Sequence, residues 1–391
     1  MRILFSATPA HGHLLPMGSL IRAAVDRGHQ VALLTGGGMA QVVAEELPPA
    51  VELLPAGPMP AEFLAEATRR VGHDVMNPSP DEVGEIFAAT RIDLTIEEAV
   101  PAVFGWKPDV VVAEAYDTVG PLLAAMLNVE WYEVGLGPAM PAPFAVTLAR
   151  EAAPRYAARG VRPAPPRSYI DPCPPLLQVP EWSSPVRHWP MRPEAHRRPG
   201  SSWSPPAFAD PARPRVLVTL GTIFSEAELL NTVVEAVTSQ NTNALVTMGF
   251  GISQGLKAGT GPADGAGGGP VNGAGEALYV PFAPIHDLLD GADAVVGVGG
   301  SGTVLAALSH GVPMVLWPQG ADQPFTAART EAAGVSLVAD SAATVASSLS
   351  ELLADGRYRT AARDAADRIA AMPSPGDVLD ALVAEAGANV H

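Results

Sequence analysis

The feature that most restricts this chain is an alternation that occurs twice. In the first half, the apolar run "RILFSA" at residues 2–7 leads into a Pro/Gly/His loop. A helical pattern follows (Leu20, Ile21, Ala24, Val25), stopped by Gly28, and then the strand-like "QVALLT". The pattern returns at "DVVVAEAY" behind the turn Lys107-Pro108, then as the helix "PLLAAMLN" and the strand "VEWYEVG". A second series begins at "RVLVTLGT" and continues through "ALVTMGF", "AVVGVGG" and "PMVLWPQ". Strands that alternate with helices predict parallel sheets with helices on both faces. The expected architecture is therefore two Rossmann-like α/β halves.

Proline and glycine divide the series. Gly 38 and Pro 40 together make 78 of 391 residues, above the usual share of about 12%. Residues 138–214, with "RPAPPRSYIDPCPP" and "WSPPAFADPARP", read as loop and linker. The expected domains are 1–205 and 214–372, with a linker over about 185–214. A closing helix at 373–391 is expected to pack back on the first domain. Residues 251–275 hold so many glycines that they cannot bury a face, and they read as a mobile loop.

Composition excludes several classes. The chain is 48% hydrophobic, enough for a core in each half, and its formal charge is −17. No basic stripe could track a nucleic-acid backbone, and the cluster Arg192 to Arg198 reads as a solvated linker. A single cysteine, Cys173, forbids an intrachain disulfide and favours the cytosol. The N-terminus lacks a signal-peptide pattern. No apolar run approaches the ~18 residues of a membrane span.

One turn raises a question of ligand. Gly297 to Gly302 fit G-x-G-x-x-G, and Asp322 lies twenty residues on. That spacing fits a dinucleotide fingerprint. Backbone N–H groups at a helix N-terminus attract phosphate, and Ser301 and Thr303 add hydroxyls. The position argues against NAD. The ribose acid of that fold ends the second strand, whereas Asp322 falls five residues past Trp317, in a loop.

With these residues set out, "VGGSGTVLAALSHGVPMVLWPQGADQPFTAAR" resembles the donor segment of GT-B glycosyltransferases of the family-1 type, above all the actinobacterial antibiotic enzymes. The resemblance runs nearly the whole length. It includes "HGHLLP", "RGHQV", "DPCPP" at Asp171 to Pro175, "VLVTLGT" and "YVPF". It implies two Rossmann-like domains facing each other across a cleft. It implies a sugar donor, an apolar aglycone acceptor, and neither cofactor nor metal. Gly299, Gly300, Ser301, Gly302 and Thr303 would cradle the diphosphate, and Asp322 and Gln323 would grip the sugar hydroxyls. Thr222 would face the donor from the other glycine turn, and Tyr279 and Val280 would meet the base. The family usually has His before its GG pair. Here that position is Val298, so either backbone and hydroxyls hold the phosphate alone or donor binding is altered.

Transfer to a hydroxyl requires a base, and His suits neutral pH. "TPAHGHLLP" follows the first strand, where ligands of such sheets bind. The resemblance makes His13, of the H-x-x-P pattern, the base. Helix capping is its plain alternative. His11 is the lesser candidate and, with Phe144 in "PFAVTL", is assigned to the acceptor side. The family's orienting carboxylate corresponds to Glu114, with Asp117 as the alternative. His29 and His310 read as structural. A homodimer is left open. Two other readings stand beside this one: an NAD(P)-dependent oxidoreductase, and a catalytically silent nucleotide-sugar-binding partner protein.

Overall fold

The computed structural model describes residues 1–75, 77–221, 227–248, 267–269 and 275–387. Chain contacts divide it into two units. One comprises Met1–Pro174, Gln178–Arg192 and Met372–His391; the other comprises Pro175–Leu177 and Pro193–Ala371. The main change of unit, after Arg192, falls within the stretch 185–214 that composition suggested as linker.

The first unit is built on seven strands: β1 (Arg2–Ser6), β2 (Gln30–Thr35), β3 (Val51–Pro55), β4 (Val110–Glu114), β5 (Glu130–Val134), β6 (Ser168–Asp171) and β7 (Arg187–Pro190). Their order is β3-β2-β1-β4-β5-β6-β7, and every pairing is parallel. Alternate residues feed opposite faces, as the period of two requires. Ile3, Phe5 and Val112 join Leu20 and Ile21 on one side. Leu4, Ala32 and Val111 join Ile92 and Leu122 on the other. The order reverses between β1 and β4, which opens a crevice at their C-terminal ends.

Helix Pro375–Gly387 closes the first core. Its Val378, Leu379 and Leu382 are 4%, 0% and 0% exposed and pack with Leu20, Ile21 and Ala24. Within 138–214 the expectation of plain loop fails. Residues Ala142–Ala158 form a helix, and β6 and β7 extend the sheet. Prolines misled the reading, because Pro at the first helical turn is compatible with a helix.

The second unit repeats the plan: β8 (Arg215–Thr219), β9 (Asn243–Thr247), β10 (Gly267–Gly269), β11 (Glu276–Val280), β12 (Ala294–Gly297), β13 (Met314–Leu316) and β14 (Ser336–Val338). The order is β10-β11-β9-β8-β12-β13-β14. Six strands are parallel, and β10 is an antiparallel edge strand on β11. The order reverses between β8 and β12. The glycine-rich stretch 251–275 lies outside the described residues apart from Gly267–Gly269 and Gly275. After β14 come two helices, Ala342–Ala354 and Gly356–Ala370. Extended Asp355 separates them, and its side chain caps the second by accepting from the Arg357 amide. Among the described residues no helix is long and apolar enough to cross a membrane.

The C-terminal helix makes a direct test of the first core. Leu379→Ala removes a fully buried side chain and should destabilise the protein by about 2–4 kcal/mol in urea unfolding. A loss below about 1 kcal/mol would mean that the helix is not part of this core.

Candidate active site

The crevice of the first unit is occupied by a histidine held against a carboxylate. His13 lies on the short helix His11–Leu14 that follows β1. Glu114 is the last residue of β4, beside β1. The two strands at the reversal therefore deliver one partner each. His13 Nδ1 lies 3.0 Å from Glu114 Oε1, and the side chains are 18% and 0% exposed. Glu114 is saturated with donors. Oε1 also accepts from the Thr8 amide at 3.2 Å, and Oε2 accepts from the Tyr116 amide at 2.7 Å. Burial works to raise its pKa. The field of His13, together with the bonds from His13, Tyr116 and Thr8, outweighs burial and holds the carboxyl below its ordinary value. Glu114 is thus an anion at neutral pH, and an anion there favours Nδ1–H on His13. Nε2 is then the basic nitrogen.

Asp117, the alternative partner, is spent elsewhere. Its carboxylate accepts from Gly120 N at 2.9 Å and from Val119 N at 3.4 Å, capping helix Val119–Leu127. Burial and neighbouring Glu114 push its pKa up, against the opposing pull of Arg91, Ser6 and Gly120.

Several neighbours of His13 were not singled out from sequence. Phe87 and Tyr116 each place a ring centroid 5.8 Å from the imidazole, tilted and edge-on respectively. Phe87 lies in a π-helical turn, Glu85–Thr90, a rare conformation that recurs at functional sites. Arg91, just after that turn, is 1% exposed. Glu133, on β5 beside β4, is pushed up to about 7 by burial and by Glu114. A π turn leaves no sequence signature that would have picked out Phe87. His11 sits on the same short helix as His13, and Phe144 packs against the second face of the sheet, partly buried. Asp171, of "DPCPP", accepts from the Cys173 amide, Gln178 and His188, which fixes the chain after β6.

In the second unit the glycine turn joins β12 to helix Ser301–Ser309. Gly300 is the N-cap and no side chain caps the helix, so its first-turn N–H groups present an anion site. Gly299 has φ +92°, and a Cβ there would lie 3.3 Å from the Gln323 carbonyl oxygen, so only glycine is at ease. Val298, where the resembling family has His, is 5% exposed and belongs to the core. The Ser301 hydroxyl donates to Asp322 at 2.9 Å, which ties the turn to the loop after β13. Gln323 opens helix Gln323–Ala332, and its side-chain oxygen accepts from the Gln319 and Gly320 amides at 2.8 and 3.2 Å. Its amide nitrogen takes no part in these two bonds. Tyr279 is 2% exposed and packs in the core of the second unit. The Val280 carbonyl accepts from Met248 N at 3.0 Å. Thr222 lies outside the described residues. His310 is held by Ala306 O and His286 at 2.9 Å each, a structural role. Among the described residues no group of three or more His, Cys, Asp or Glu could hold a metal ion.

Comparison with known proteins finds relatives along the whole chain. The family "Erythromycin biosynthesis protein CIII-like, C-terminal domain" matches residues 275–385. The chain is 30% identical to the elloramycin glycosyltransferase ElmGT of Streptomyces olivaceus, over 98% of this chain and 97% of that protein. It is 29% identical to the L-demethylnoviosyl transferase of Streptomyces niveus, over 98% of each. Among solved structures, it resembles the glycosyltransferase SnogD from Streptomyces nogalater, with 28% identity, TM-score 0.78 and 99% of both chains covered.

The carboxyl of Glu133 gives a pH test of the site's electrostatics. Its folded pKa, about 7, lies above the ordinary glutamate value. Ionisation is thus easier in the unfolded chain, and stability contributed by the neutral form falls as pH rises from about 4.5 to 7. Glu133→Gln should match the wild type near pH 4 and exceed it by about 1–2 kcal/mol above pH 7 in denaturant unfolding. A constant difference at both pH values would place Glu133 in an ordinary solvated setting.

Proposed function

Because this chain belongs to the family-1 type GT-B glycosyltransferases, related to natural-product sugar transferases of Streptomyces, we propose that it moves a sugar from a nucleoside diphosphate to a hydroxyl of an apolar natural-product aglycone. The donor is a dTDP- or UDP-linked hexose or deoxyhexose, and the anomeric configuration inverts. The observation that carries the reading is the His13–Glu114 pair at the strand reversal, with Nδ1 bonded to a fully buried carboxylate.

The chemistry follows from the parts. His13 Nε2 takes the proton of the acceptor hydroxyl as its oxygen bonds to the anomeric carbon. The bond from that carbon to the diphosphate oxygen breaks, and its electron pair leaves with the phosphate. Glu114 stabilises the imidazolium that forms. The N–H groups of Ser301, Gly302 and Thr303 meet the charge that grows on the diphosphate, with the positive end of the helix dipole behind them. This backbone site supports a metal-independent mechanism despite Val298. Asp322 and the Gln323 amide bind sugar hydroxyls. Aromatic Phe87 and Tyr116 beside His13, with Phe144, favour a flat, apolar acceptor. The relatives' names, an elloramycin glycosyltransferase and a demethylnoviosyl transferase, support a natural-product acceptor and a sugar other than glucose.

The function is tested by incubating the protein with dTDP- and UDP-linked hexoses and deoxyhexoses and a panel of polyketide and phenolic aglycones, reading nucleoside diphosphate release and glycoside mass. With an ordinary hydroxyl acceptor, His13→Ala should lower kcat by roughly 10²-fold or more, while calorimetric affinity for dTDP or UDP stays unchanged. Near-normal turnover would remove His13 from the mechanism. For the sugar contacts, Gln323→Ala should weaken the intact donor far more than the free nucleoside diphosphate. An equal loss for both ligands would reduce Gln323 to closing the turn at Gln319 and Gly320.

A further inference from the structure

A single hydrogen bond does not aim a base. Glu114 holds His13 at one atom, Nδ1. An imidazole tethered there can still swing, because its χ2 is a broad torsion with no narrow staggered wells. Nε2 must come within about 2.6–3.2 Å of the hydroxyl it deprotonates, and a misplacement of about 1 Å can cost 10²-fold in rate. Packing must supply the rest of the constraint.

Two aromatic rings supply it. The Phe87 centroid lies 5.8 Å from that of the imidazole, with the planes inclined at 32°. Tyr116 lies at the same distance, edge-on at 83°. The two rings are 5.4 Å from each other, so the three close a triangle. All three separations fall in the ~4.5–7 Å range of paired rings. A swing of the imidazole about its tether disturbs both contacts. Tyr116 serves twice, because its amide also donates to Glu114 Oε2 at 2.7 Å.

Phe87 is held in place by the π turn Glu85–Thr90. Ile86 packs with Phe63 and Ala67 of helix Pro60–Val71, and Ala88 packs on the sheet with Leu122. Phe87 lies between them in sequence and touches both clusters, with buried Phe63 6.5 Å away. The turn is pinned at its middle, where Thr118 Oγ1 donates to the Phe87 carbonyl at 2.6 Å. It is also pinned across its ends, where Thr90 Oγ1 donates to Glu85 Oε1 at 2.7 Å. Arg70 Nη1 reaches that same oxygen at 3.3 Å and Asp93 Oδ2 at 2.9 Å, which joins the turn to the helices on either side. The loop after β4 thus supplies the Tyr116 ring and, two residues on, the hydroxyl that fastens Phe87.

We infer that Phe87 is a positioning residue for the base: its ring, set by the π turn, braces the His13 imidazole so that Nε2 is held in one direction. This goes beyond apolar contact with an acceptor, and it rests on His13 being the base of the proposed reaction. The turn is a rare conformation in a helix, and the brace gives it a function. Loss of the Phe87 ring removes one side of the triangle, leaves the bond to Glu114 in place, and lets the imidazole swing.

The test uses the full chain labelled with ¹³C-histidine. Order in the His13 ring is read from ¹³C relaxation without substrates, on the picosecond to nanosecond scale, and the signal is assigned by its loss in His13→Ala. Phe87→Ala should lower the order of that ring, and Phe87→Tyr, which keeps a flat ring, should restore it. Phe87→Leu, which fills space without a flat face, serves with the same expected loss should Phe87→Ala fail to fold. In parallel, turnover is measured with dTDP- and UDP-linked hexoses and deoxyhexoses and a phenolic aglycone. At saturating donor and acceptor, kcat should fall on the order of 10-fold in Phe87→Ala and recover in Phe87→Tyr, while calorimetric affinity for dTDP stays unchanged. An equally ordered His13 ring in the folded variant would overturn the inference. So would a higher acceptor KM with kcat kept and the ring still ordered, which would make Phe87 an acceptor contact alone. A loosened ring with unchanged kcat would uphold the brace and count instead against His13 as the base.

Discussion

The interaction on which the first unit depends is the hydrogen bond between His13 and a carboxylate with no exposed surface. A buried, ionised glutamate is tolerable only when each oxygen is satisfied. Glu114 meets that condition with the Thr8 amide, the Tyr116 amide and the His13 ring. Two of these donors come from the turn that follows β1, and the third from its own loop. The parallel register of β1 with β4, Ser6 beside Ala113, brings both turns to the same end of the sheet. The strand order thus determines the chemistry. An arrangement with β1 and β4 apart would leave the acid unpaired and the histidine without a fixed tautomer.

The second unit solves a different problem with the same topology. Its reversal between β8 and β12 presents a helix N-terminus instead of a side-chain pair. The backbone must turn sharply there, and Gly299 takes the left-handed conformation that a side chain would resist. Ser301 and Asp322 then couple that turn to the loop carrying Gln323. The groups that would meet phosphate and those that would meet sugar are therefore joined by a hydrogen bond. Val298 fits this account. At the position where the resembled family usually has His, the side chain is turned into the core, which leaves the proposed anion site to backbone donors.

Much of this was legible from the chain because the two reversals depend on local signals. Period-two apolar runs, the stop at Gly28 and the small-residue turns after β1 and β12 mark the strands that matter, and His13, Glu114 and the Gly299–Thr303 turn lie on them. What was missed depends on tertiary packing. Helix Ala142–Ala158 carries Pro143 and Pro154, and nothing local says that its apolar face is buried against the sheet. Arg91 reads as an ordinary charged residue at a helix start. Only the packing of the first unit around it leaves it 1% exposed.

The central claim, that Glu114 holds His13 with Nδ1 protonated and Nε2 as the base, is tested most directly by ¹⁵N NMR of the His13 ring, assigned by its loss in His13→Ala. At a pH where the ring is neutral, the account predicts a protonated, pyrrole-like Nδ1 and an unprotonated, pyridine-like Nε2. It further predicts that this preference weakens in Glu114→Gln. A neutral ring with its proton mainly on Nε2 would contradict the claim, since the nitrogen assigned as base would then have no lone pair to offer.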